Sequence, residues 1–68
     1  MTIEEIKKWI YDRFDQKRRL LYNDERGNKW EFADGSTYEC KIVSWRVGEH
    51  IITYFINGNE VLRATYKD

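Results

Sequence analysis

The chain has 68 residues, with 12 Lys+Arg against 12 Asp+Glu, 41% hydrophobic and 16% aromatic. That length gives one domain with one small core, and balanced charge gives no whole-molecule field toward nucleic acid or membrane. A single cysteine, Cys40, rules out an internal disulfide, and His50 as the sole histidine leaves a closed zinc site short of ligands.

Small domains usually need such a staple, so oligomerisation or a partner protein is the expected extra stabiliser, with no cofactor and no metal. No apolar run approaches the roughly 18–20 residues of a membrane span, so no membrane partner is expected. The start Met-Thr-Ile-Glu-Glu lacks a basic segment followed by an apolar one, and the unpaired Cys40 suits a reducing compartment. A cytoplasmic location is the expectation.

The first element reads as a helix. Thr2 and Glu5 have the spacing of a capping box, and Met1 and Ile6 that of a hydrophobic staple. Ile3, Ile6, Trp9, Ile10 and Phe14 fall on one arc at 100° per residue, and Leu20 and Leu21 remain on it. The arc predicts a helix over about residues 2–22. The alternative is a helix ending near Gln16, with residues 19–22 as a short strand. In both readings residues 23–28 form a loop.

A meander is predicted over about residues 29–66, with strands near 29–33, 37–47, 50–56 and 60–66. Three turn signals divide it: Asp34-Gly35, Gly48-Glu49 and Asn57-Gly58. Two-residue loops there would oppose Trp30 to Glu39, Trp45 to Ile52 and Tyr54 to Val61. That register gives two apolar faces. Trp30, Phe32, Val43, Trp45, Val47, Ile52, Tyr54, Ile56 and Val61 form one; Tyr38, Cys40, Ile42, Ser44, Ile51, Thr53, Phe55, Leu62, Ala64 and Tyr66 form the other. The small residues of the second face suit a curved interior.

The segments Asp34-Gly35-Ser36-Thr37-Tyr38-Glu39-Cys40-Lys41-Ile42, Ile51-Ile52-Thr53-Tyr54-Phe55 and Asn57-Gly58-Asn59-Glu60-Val61 resemble small SH3-like barrels of the Tudor and Sm-like kinds. The resemblance covers a little over half of the chain and implies a small barrel or half-barrel. Asn57 stands where a Tudor cage has an aromatic. Cys40 stands where the Sm-like pattern has glycine, and the acidic residue that the pattern has about the place of Arg46 is missing. The expected fold is α+β: an N-terminal helix packed on a strongly bent antiparallel meander of four to five strands.

Catalysis has little to work with. His50 beside a turn reads as a surface histidine, and Cys40 as a small buried hydrophobe. The acidic pairs Glu4/Glu5, Asp12/Asp15 and Asp24/Glu25 fit a helix start, a solvated helix face and a loop. The four glycines are scattered among turns and form no phosphate loop. A non-catalytic protein-binding module, an inhibitor or adaptor that self-associates, is the expectation. Its anchors would be Trp30, Phe32, Trp45, Ile52 and Tyr54, with an edge strand at 29–33 or 60–66 as a second means of attachment. The alternative is a nucleic-acid binder using Lys17, Arg18 and Arg19 with nearby aromatics.

Overall fold

Thr2 opens the helix as its spacing requires. Its hydroxyl accepts the Glu5 N–H at 3.1 Å, and the Glu5 carboxylate accepts the Thr2 N–H at 2.9 Å. The computed structural model describes residues 1–67, apart from the side chains of Ser44 and Trp45. Helix α1 spans Ile3–Tyr11, so it stops well short of residue 22. Bonds of the i to i+3 kind, Arg13 N–H to Ile10 O, Phe14 N–H to Tyr11 O and Gln16 N–H to Arg13 O, wind the chain into tight turns. The Arg13 guanidinium also donates to the Trp9 carbonyl at 3.1 Å, meeting one of the acceptors that a helix end leaves open.

The residues that continue the apolar arc become strand β1, Arg18–Asp24. Tertiary pairing outweighs helical periodicity here, because β1 pairs antiparallel with β2, Gly27–Phe32, through a two-residue turn at Glu25-Arg26. Gly27 makes this turn possible. It holds φ +146°, and a Cβ there would lie 1.9 Å from the Cys40 carbonyl oxygen on β3.

Strands β3 (Thr37–Arg46), β4 (Glu49–Ile56) and β5 (Asn59–Lys67) complete an antiparallel sheet of order β1-β2-β3-β4-β5. The sheet has edges at β1 and β5 and is open, so the barrel implied by the resemblance is not formed. The fold is α+β with one short helix and five strands.

Three features move the register from the expected one. The last β2–β3 pair is Glu31–Thr37, with five residues between and the Phe32 N–H donating to the Ser36 carbonyl at 2.9 Å, which opposes Trp30 to Tyr38. The β3–β4 turn sits at Val47-Gly48, and Val43 is bulged out between the Ile42–Ile52 and Ser44–Ile51 pairs. Asn57-Gly58 does form the predicted turn, with Asn57 at φ 52° and Gly58 at φ 81°. A bulge at Val61 then opposes Tyr54 to Leu62.

A bulge adds one residue and so returns the following side chains to the other face. The two expected apolar faces are thereby re-sorted. By pairing and alternation, Trp30, Phe32, Tyr38, Cys40, Ile42, Ile52, Tyr54, Ile56, Leu62, Ala64 and Tyr66 share one face. The opposite face carries Lys29, Glu31, Glu39, Lys41, Thr53, Phe55 and Arg63. That face is mixed rather than solvated: Ile51 also lies on it, and Thr53 is 1% exposed. Cys40 and Ala64 therefore do not line a separate curved interior with Thr53.

The core is small. Among the described residues, the buried hydrophobics are Ile6, Phe32 and Ile56, at 2%, 5% and 8% exposure. The molecule measures 38 × 24 × 19 Å, and its radius of gyration is 12.6 Å against about 11 Å for a typical domain of this length. Its 5022 Å² of accessible surface exceeds the roughly 4,600 Å² usual for this mass.

Candidate binding face

The helix covers only one end of the apolar face. Trp9 meets Phe32 edge to face, with centroids 5.7 Å apart at 76°. Arg13 lies 4.0 Å above the Trp9 ring, donates to the Ser36 hydroxyl at 3.2 Å and faces the Asp34 carboxylate at 3.6 Å. The Gln16 side-chain amide donates to the Asp34 carboxylate at 3.3 Å and accepts the Asp34 N–H at 3.1 Å. The terminal amino group of Met1 donates to the Val61 carbonyl at 2.8 Å. All these ties hold the helix over the end of the sheet that carries the β2–β3 and β4–β5 turns.

Beyond the helix lies a half-buried apolar stretch that includes Cys40, Ile42, Ile52, Tyr54, Ala64 and Tyr66. The Tyr54 and Tyr66 hydroxyls meet at 2.9 Å, and the His50 ring stacks on Tyr66 at 5.7 Å and 21°. Leu20, 42% exposed, extends this surface onto β1. Burial pushes the Tyr38 phenol up to about 12. Burial also raises the Cys40 thiol, which makes it a poorer nucleophile at neutral pH.

Where the helix end meets the sheet, Ile10, Phe14, Arg18, Trp30, Phe32 and Tyr38 line a cavity of about 150 Å³. Arg18 lies 5.0 Å above the Phe14 ring and 5.8 Å from the Trp30 ring, and so closes one side of its mouth.

Of the residues expected as anchors, Trp30, Ile52 and Tyr54 lie half-buried on the apolar face. Phe32 is beneath the helix at 5% exposure and so belongs to the core. The Trp45 side chain lies outside the described residues; its backbone pairs with His50. Lys17, Arg18 and Arg19 line one shallow depression with Glu31, Phe32, Ala33 and Gly35, although the side chains of Arg18 and Arg19 diverge. Successive strand positions point to opposite faces, so Arg18 joins the aromatics and Arg19 turns to the other side, donating to Glu31 at 2.8 Å.

Tyr38 and Tyr66 join the candidate site although the expected register placed them opposite it. One signal for the longer β2–β3 loop is readable in the sequence: Asp34 two residues before Ser36. The Asp34 carboxylate accepts the Ser36 N–H at 2.8 Å in an Asx-turn and also bonds the Ser36 hydroxyl. The Ser36 bonds hold the Asp34 carboxyl below its ordinary range.

The polar face is mixed in sign. The Tyr22 hydroxyl donates to Glu39 at 2.6 Å, Lys41 lies 3.8 Å from the same carboxylate and 5.6 Å above the Phe55 ring, and burial with Glu39 raises the Tyr22 phenol. Cys40 pairs with Tyr54, four positions along β4 from His50, which separates the two by about 13 Å of strand. Among the described residues no cluster of three or more His, Cys, Asp or Glu could hold a metal ion, and no helix is long and apolar enough to cross a membrane.

No protein-family model matches the chain, nor does any curated protein or any solved structure.

Proposed function

We propose that this chain is a small non-catalytic protein-binding module, of the inhibitor or adaptor kind, whose apolar sheet face takes a protein partner, a second copy of itself included. One observation carries the reading: the bulges at Val43 and Val61 bring Cys40, Ile42, Ile52, Tyr54, Leu62, Ala64 and Tyr66 onto one face, and α1 covers only one end of it. A large exposed apolar surface marks an interaction site more often than it marks an idle one. A cytoplasmic location belongs to the same reading.

Sedimentation velocity over a concentration series, at low and high salt, tests it. The expected result is a concentration-dependent rise from 8.4 kDa toward twice that mass, with little dependence on salt. Tyr54→Glu, which places a charge on the face, should return the chain to a folded monomer, with circular dichroism checking the fold. A mass of 8.4 kDa at every concentration removes self-association. Steeply salt-dependent binding of an oligonucleotide, carried by Lys17, Arg18 and Arg19, would replace the reading with phosphate recognition.

A further inference from the structure

We infer that the cavity between the helix end and the sheet seats one apolar side chain of the partner, and that Arg18 reads a carboxylate next to it. The occupant is a peptide segment in which a Leu- or Phe-sized residue adjoins Asp or Glu. This rests on the proposed protein-binding role and names the anchor it uses. The cavity of about 150 Å³ is of the size that holds one benzene ring. Its walls are Ile10, Phe14, Trp30, Phe32 and Tyr38, which suit an apolar guest, and Phe14 is still 55% exposed at the rim.

Arg18 supplies the charge requirement. Its guanidinium is held over the Phe14 and Trp30 rings. Among the described residues no carboxylate lies within ion-pair distance of it, whereas Arg13, Arg19 and Arg63 each face one. An apolar residue seated in the cavity would strip water from this cation. A desolvated, unpaired charge is costly, so a guest that binds well must bring an acceptor. A carboxylate can take two parallel N–H bonds from the guanidinium edge while its face stays on the rings.

The test is heteronuclear NMR titration with two capped peptides, acetyl-Gly-Phe-Asp-Gly-amide and its Asn counterpart. The Trp30 indole N–H, assigned with Trp30→Phe, is the probe. The Asp peptide should shift this signal saturably and bind at least about fivefold more tightly than the Asn peptide. Arg18→Gln should abolish that preference, and Phe14→Ala, at an exposed site, should weaken both peptides. Equal affinity for the two peptides, or no shift at Trp30, overturns the inference. A chain that self-associates through the face but ignores both peptides separates failure here from failure of the wider reading.

Discussion

The Tyr54 and Tyr66 hydroxyls meet at 2.9 Å on the apolar side of the sheet, the one from β4 and the other from β5. One phenol donates to the other, so a partner covering the pair has to accept only the second hydroxyl's proton. Tyr54→Phe and Tyr66→Phe are each expected to cost about 1 kcal/mol, and the double variant less than their sum. Urea unfolding of the four proteins in the cycle measures this; strict additivity would show that the bond contributes nothing.

Gly27 and Gly35 separate two effects of adding a methyl group. At Gly35 the φ of +87° is unfavourable for alanine but nothing lies within 4 Å of the new atom, so Gly35→Ala should cost about 1 kcal/mol. At Gly27 the new atom would also strike the Cys40 carbonyl oxygen at 1.9 Å, which forces β2 away from β3. Gly27→Ala should therefore lose roughly 3 kcal/mol or more, enough to unfold so small a domain. Thermal melts of both variants check the ranking, which reverses if β2 and β3 separate easily.

Trp9 is the peg between helix and sheet. Trp9→Ala removes the edge-on contact to Phe32 and the platform for Arg13, with an expected loss of about 3 kcal/mol. Thr2→Ala removes only the cap and should cost about 1 kcal/mol. Denaturant midpoints give the order; a Trp9 variant as stable as the Thr2 variant would mean that the helix is not docked through this ring.

Tyr38 sets an alkaline limit. Its phenol titrates near 10 when unfolded and is pushed up to about 12 by burial in the fold. The folded chain therefore holds this proton more tightly. The stabilisation is complete below pH 10 and is lost as pH rises through 12, for a total on the order of 2 kcal/mol. Tyr54, whose phenol is raised by burial and by its bond to Tyr66, acts in the same direction. Unfolding followed by tyrosinate absorbance should have its alkaline midpoint moved upward in Tyr38→Phe, and an unmoved midpoint would assign the transition elsewhere.

The capping box at Thr2 and Glu5 and the Asn57-Gly58 turn were readable because both depend on residues within a few positions of each other. The length of the helix was not, because Leu20 and Leu21 satisfy a helical arc as well as a strand, and the choice is made by pairing with β2. The composition of the apolar face was hidden for a similar reason. Nothing local marks Val43 or Val61 as a bulge, yet each reverses which side every later residue faces. Trp30, Ile52 and Tyr54 kept a common side through these changes, while Tyr38, Cys40, Ile42, Leu62, Ala64 and Tyr66 joined them.

Each strand of this sheet bonds only to its neighbours along the chain. Such a sheet can assemble one hairpin at a time, with no long loop to close before the next pair forms, a pattern associated with fast folding. The helix is different: its ties run from Trp9 to Phe32 and from Met1 to Val61, across most of the chain. Docking of the helix is then the late step, and Ile6→Val should speed unfolding while leaving the folding rate nearly unchanged.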